Sequence, residues 1–174
     1  MDIEKEIIEI LKKNPEEFKH AKDTLKWLLI IKPDADSALR IAALGHDIER
    51  AIQPWEVKDH TLDKNFRKEH SKRSAEIIKQ ILEKNNFVKK EIPKVLNLIL
   101  NHEFNSGILT DADSLANFEW CDDMFEKEKI ENIKSVAEKM FSRLSKENMK
   151  FISKINFKHK EIKELITELS YPAS

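Results

Sequence analysis

Apolar residues recur along this chain at spacings of three and four, the period of an α-helix, and almost nowhere in sustained alternation. Ile3, Ile7, Ile10 and Leu11 form one stripe over residues 2–13. Asn14-Pro15-Glu16-Glu17 then spells a helix start: a capping side chain, a proline at the first helical position, and acids in the first turn. That helix is expected to end near Ile31, before Lys32-Pro33. Asp34 or Asp36 caps the next, over about 36–52, which is apolar nearly all round and so belongs at the centre of a bundle. Residues 53–63 break the pattern and read as a loop. Helical periods resume over 65–84, with Ala75, Ile78, Ile81 and Leu82 inward, and over 88–102. They return from Thr110 or Asp111 to Phe125, and again over 130–145 and 147–169. The expected fold is all-α: one helical bundle of seven or eight helices, a single domain over residues 1–174.

Composition narrows the class. A chain of 174 residues can bury one proper core and is short for two domains. The 31 basic and 32 acidic residues leave a net charge of -1, and no stretch forms a basic block, so a nucleic-acid polymer is not an expected partner. No apolar run approaches the ~18 residues of a membrane span. The opening MDIEKEIIEI is acidic and amphipathic, unlike a signal peptide. Cys121 is the one cysteine and reads as a small buried hydrophobe rather than a nucleophile. With no partner for an internal disulfide, the expected compartment is the cytoplasm.

Against this background the stretch LGHDIER, residues 44–50, stands out: His46 and Asp47 interrupt the most apolar of the expected helices. Other polar residues sit in the same way at the edge of apolar stripes. His20 shares a face with Thr24, Trp27 and Ile31; His70 with Ser74, Ile77, Ile78 and Ile81; His102 follows Val95 and Ile99; Asp113 lies with Ala116, Asn117 and Trp120. Burying an imidazole or a carboxylate is costly unless it is paired or ligated. Each has an ordinary explanation alone: a hydrogen-bonded core histidine, Asp113 in a cap with Thr110 and Asp111, Asp47 paired with Arg50 or Lys58. His60 and His159 read as solvated. Gly45, inside a helix where glycine costs roughly 1 kcal/mol against alanine, calls for a neighbouring helix packed close to the doublet.

Taken in order, His20, His46-Asp47 and Asp113 resemble the signature of the HD-domain metal-dependent phosphohydrolase superfamily. DADSL resembles that family's terminal segment, which makes Asp113 the ligand and Asp111 its neighbour. KEHSKRSAEII and LILNHEF place His70 and His102 where dinuclear members carry two further histidines. The resemblance covers about residues 15–125 and carries nothing onto the helices near 130–169. It implies an all-α metal-dependent hydrolase in which His20, His46, Asp47 and Asp113, with His70 and His102, hold one or two ions and Asp47 serves catalysis. Many members continue the doublet as His-Asp-Ile-Gly-Lys; here Glu49 and Arg50 stand in the last two places.

Adjacent side chains on a helix diverge by about 100°. A long histidine and a short aspartate can nevertheless converge on one ion, with the remaining ligands supplied by other helices. Imidazole with carboxylate suits a divalent transition metal: Mn, Fe, Zn, Co or Ni. An anionic substrate then needs cations nearby, and Arg67, three residues before His70, and Arg50, one turn beyond His46, are the candidate substrate contacts, with Lys22 near His20. Glu49 or Glu103 is either a proton-transfer group or a surface residue. Trp27 and Trp120 read as core and Trp55 as a lid, although each could stack on a base. The expected partner is a small phosphorylated molecule, a nucleotide or related metabolite. A dinuclear-iron oxygenase on the same fold and a non-catalytic metal- or nucleotide-binding regulatory module are the alternatives.

Overall fold

A computed structural model of the chain describes residues 2–53, 63–104 and 107–170. The first helices begin where the capping signals stand. Asp2 opens α1 (Ile3–Leu11), and the Asn14 side chain accepts from the Glu16 and Glu17 amides at the head of α2 (Pro15–Ile31). Of the two candidates for the next cap, Asp36 takes the role: its carboxylate accepts from the Leu39 amide at 3.0 Å and starts α3 (Ser37–Gly45). The helix expected over 36–52 is not continuous. It breaks at His46-Asp47, where Asp47 sits at φ -114°, ψ 17°, and resumes as the short α4 (Ile48–Ile52).

Asp63 caps α5 (Lys64–Lys84), which closes in a left-handed turn at Asn86, φ 53°. There the Phe87 amide bonds to the Leu82 carbonyl and the Asn86 amide to that of Glu83, a Schellman closure with asparagine in glycine's usual place. A 3-10 turn (Lys89–Glu91) leads into α6 (Ile92–Asn101), followed by α7 (Ile108–Asp123) and α8 (Ile130–Arg143). The helix expected over 147–169 is divided into a 3-10 segment (Met149–Lys154) and α9 (Lys160–Ser170). The fold is all-helical, as expected. The division at His46-Asp47 brings the count to nine α-helices among the described residues, one above the upper expectation of eight. None of them is long and apolar enough to cross a membrane.

Helix α3 is the centre, touching α1, α2, α5, α6 and α7, and residues 41–49 are all buried. Helices α2 and α7 pack along each other, α8 covers α7, and α9 lies on α8 and α7. Two buried aspartates of α7 tie down the chain that follows. Asp111 accepts from the Ser145 amide, the Ser145 hydroxyl and Asn148 Nδ2, each at 2.7 Å. Asp122 accepts from the Lys158 and His159 amides at 2.8 and 3.0 Å. Asp111 therefore does not cap α7, which begins three residues earlier; it anchors the turn after α8. His159 is not simply solvated: its Nδ1 lies 3.1 Å from Asp122 and its ring tilts against Phe125. Cys121 is fully buried, and burial pushes its thiol up to about 12, in keeping with a packing role.

The close approach expected at Gly45 is present. A β-carbon there would overlap Ile78 Cδ1 and lie 2.7 Å from its Cγ1, with Ile78 fully buried on α5. Gly45→Ala gains helix propensity of about 1 kcal/mol but must displace a packed isoleucine, at about 1–3 kcal/mol. Net destabilisation is therefore expected for Gly45→Ala in urea unfolding, and it should vanish or invert in an Ile78→Ala background. Additive effects of the two substitutions would show that the contact does not limit residue size at this position.

Candidate metal centre

The break between α3 and α4 is what brings the His-Asp doublet to one point. At the end of α3 the His46 ring turns back so that Nδ1 meets the Ala43 carbonyl at 3.0 Å. His102, at the end of α6, repeats the device, with Nδ1 2.6 Å from the Ile99 carbonyl. A carbonyl only accepts, so Nδ1 carries the proton in both rings. In the neutral rings each Nε2 is then a lone pair directed inward.

Around these two nitrogens the other expected residues gather. His20 Nε2, from the buried face of α2, lies 3.3 Å from His46 Nε2 and 3.1 Å from Asp113 Oδ1. The same Asp113 oxygen, from the second turn of α7, is 3.4 Å from His46 Nε2. Asp47 Oδ1 is 2.8 Å from His70 Nε2, 3.4 Å from His102 Nε2 and 3.7 Å from His46 Nε2, and its Oδ2 is 4.0 Å from His20 Nε2. All six side chains are buried. Two sets of donor atoms result, each lying within 4.8 Å: His20, His46 and Asp113, and His46, Asp47 and His102. His70 joins the second set through Asp47.

The donor set fits a metal ion on two grounds. Ligands about 2.1 Å from a common ion are separated by about 3.0–3.4 Å in octahedral or tetrahedral geometry. The His20–His46–Asp113 triangle, with edges of 3.1, 3.3 and 3.4 Å, has that size. The second ground is electrostatic: imidazole lone pairs and carboxylate oxygens facing one another need positive charge between them. Without a cation, protons take that place. Burial pulls the His46 and His70 imidazoles towards neutrality, but the carboxylates beside them prevail and raise both to about 9: Asp47 and Asp113 for His46, Asp47 and Glu49 for His70. Burial alone would raise Asp47 and Asp113, yet His46 and His70 hold the first well below the carboxylate range, as Arg143 and the histidines do the second.

An outer layer fixes these ligands. Glu49 Oε2 is 2.7 Å from His70 Nδ1, and its Oε1 accepts from Arg73 Nε at 2.7 Å. Glu49, a surface or proton-transfer residue from sequence alone, is thus buried and orients His70. Arg50 donates to Asp47 Oδ2 at 2.8 Å, and its Nε lies 3.0 Å from Glu17 Oε1. Asn117 donates to Asp113 Oδ1 at 2.8 Å, and Arg143 Nη2 donates to Asp113 Oδ2.

Glu103 is largely enclosed by three cations: Lys139 at 3.0 Å, Arg143 at 3.1 Å and Arg67 at 3.4 Å, all to Oε2. Burial would raise it, but Lys139, His102 and Arg143 bring it down to about 2. Arg67 also lies over the Phe104 ring. Lys22 is exposed, extends over Phe18, and takes no part in the centre. Trp55, Lys58 and His60 lie outside the described residues.

Sequence reasoning missed Arg143 and Lys139, on a helix to which the resemblance carried nothing. Their signal was available. Lys139 stands three residues from Val136 and Arg143 three from Met140, both of which face the core, so they are cations at the edge of an apolar stripe. That is the same anomaly that singled out the histidines.

The fold and site together define an all-helical domain with a buried histidine–aspartate cluster able to hold a metal ion. The sequence pattern of the family described as a domain of unknown function, DUF4202, matches residues 2–166, and the chain belongs to that family. No curated protein and no solved structure matches it.

Glu49→Gln removes the charge that orients His70 while keeping a group able to hydrogen-bond. It is expected to weaken divalent-metal binding about 10–100-fold. Titrating chelator-stripped protein with Mn²⁺ or Zn²⁺ measures this, with Lys22→Gln as a control that leaves binding unchanged.

Proposed function

We propose that the protein is a metal-dependent phosphohydrolase of the HD-domain type, acting in the cytoplasm on a phosphomonoester or phosphodiester of a nucleotide or related small metabolite. The observation that carries this reading is the meeting of His20, His46, Asp47 and Asp113 from separate elements within 4.0 Å contacts, in the chain order of the HD signature. His70 and His102, on the far side of Asp47, provide the additional donors of a dinuclear site.

One or two ions of Mn, Fe, Zn, Co or Ni would supply a Lewis acid and a water of lowered pKa. The chain's own residues supply the remainder. Asp47, ionised and fixed by Arg50, orients the attacking water. Asp113 is held by Arg143 and Asn117, so neither carboxylate reorganises as charge develops. Charge balance supports an anionic substrate. Around the centre stand five carboxyl groups (Glu17, Asp47, Glu49, Glu103, Asp113) and five cations (Arg50, Arg67, Arg73, Lys139, Arg143). These cancel, so any divalent ion leaves the site positive, a field that favours a phosphate. Arg67, in a pair at 3.4 Å, is the better substrate contact; Arg50, engaged with Asp47 and Glu17, positions Asp47.

The test couples elemental analysis of the purified protein to phosphate release from nucleotides and sugar phosphates and to chromatographic assay of cleavage of nucleotide phosphodiesters. Manganese- or zinc-loaded protein is expected to turn over without oxygen, and Asp47→Ala to lose both metal and about 10²–10³-fold in rate, as loss of a preorganised electrostatic group implies. Oxygen consumption confined to iron-loaded protein would move the assignment to an oxygenase. Metal-free protein, with no rate over background, would leave a binding module.

A further inference from the structure

A cleft of about 280 Å³ opens beside the metal centre, between the first half of α2 and the last half of α7. His20 belongs to both: it contacts Asp113 at 3.1 Å and lines the cleft. The opposite wall sets the apolar Ala116, Trp120 and Met124 beside Asp123 and Lys127. Trp120 lies seven residues beyond Asp113 on one helix. That is two turns along nearly the same face, about 10 Å from the metal end. The far end is marked by Glu16 and Lys127, whose charged groups stand 3.5 Å apart. Lys19 spans between the helices, 2.7 Å from Asp23 on one side and 2.7 Å from Asp123 on the other.

This lining is chemically asymmetric. The two ammonium groups lining the cleft are already committed to carboxylates, Lys127 to Glu16 and Lys19 to Asp23 and Asp123, and the latter two are paired with Lys26 and Lys158 as well, so a phosphate here would compete with existing ion pairs. The metal end, by contrast, becomes positive on loading. A ligand with one anionic end and one neutral end therefore has a single favourable orientation, neutral end in the cleft. Trp120 brings an aromatic ring to the lining, Met124 a polarisable sulfur, and the carboxylate and ammonium groups hydrogen bonds for a polar edge. About 280 Å³ holds one heteroaromatic ring system with its solvent, not a large apolar group.

We propose that this cleft binds a neutral heteroaromatic ring of nucleobase size, stacked on Trp120. In the phosphohydrolase reading, on which the word substrate rests, it is the base-binding half of the substrate site. Trp120 is then a specificity residue.

Ring binding is separable from hydrolysis and is tested without metal or phosphate. Ligand-observed NMR titration of chelator-stripped protein compares adenosine, guanosine, cytidine and uridine with free ribose. Nucleosides are expected to bind and ribose not. Trp120→Phe should keep binding within about threefold, and Trp120→Leu, which fills similar space without an aromatic face, should weaken it about tenfold or more. Absence of nucleoside binding, or binding by Trp120→Leu equal to that of the unaltered protein, overturns the proposal. Where phosphate release is found, Trp120→Leu should lower kcat/KM for nucleoside monophosphates about tenfold and leave that for ribose 5-phosphate unchanged; an equal loss for both overturns it. Nucleoside binding with neither phosphate release from monoesters nor cleavage of phosphodiesters refutes the hydrolase reading and leaves the ring site standing.

Discussion

Asp47 Oδ1 faces the Nε2 atoms of three histidines at 2.8, 3.4 and 3.7 Å, and this convergence sets the terms for everything around it. Acceptors buried against acceptors repel unless a cation or protons lie between them, and taking such groups out of water costs several kcal/mol each. No apolar packing relieves that. The surrounding structure supplies compensation in layers: arginines on the outward oxygens of Asp47 and Asp113, a glutamate behind His70, carbonyls behind His46 and His102. Each layer fixes the direction of the one inside it. A ligand whose second polar atom is already bonded has lost most of its freedom to turn away.

Helix ends are the means by which the chain achieves this. His46 and His102 follow the last residues of α3 and α6, where carbonyls are left without helical partners and can accept from the Nδ1 of the ring three residues later. The C-terminal third has a structural share in the same site. Asp111 holds Ser145, two residues past Arg143, and so the Asp-Ala-Asp segment both contributes Asp113 and fixes the strap that returns Arg143 to it. The elements that build the candidate site extend from α2 to the end of α8, beyond residues 15–125.

Much of this was legible from side-chain type and spacing. Caps at Asn14 and Asp36, the buried central helix and the six inward polar residues follow from local rules, because a polar group on an apolar stripe is visible without knowing its partner. The interruption at Asp47 was not legible: nothing in IAALGHDIERAI disfavours helix except one glycine, and the break comes from tertiary demands on the two ligands. The fate of Glu49 was hidden for a related reason. An acid followed by an arginine looks like solvated surface until α5 places His70 against it. Arg143 and Lys139 escaped because cations are so common here, 31 lysines and arginines in 174 residues, that one more on a stripe edge raises no question.

Helix α4 shows how far fold and site are one object. Five residues are too few for a helix to persist by itself, since nucleation fixes several residues for a single hydrogen bond. Its stability must come from contacts. Ile48 and Ala51 provide apolar ones, and polar ones come from Glu49, to His70, Arg73 and the Ser74 hydroxyl, and from Arg50, to Asp47 and Glu17. An ion that draws Asp47 and His70 together therefore also tightens the segment carrying Glu49 and Arg50. The stability of α4 and the affinity of the centre are then linked quantities, because whatever binds only the ordered form stabilises it by mass action. On this account the polar doublet in an apolar run is no defect that the fold tolerates. It is the contact through which an ion held there would be coupled to the local order of the chain.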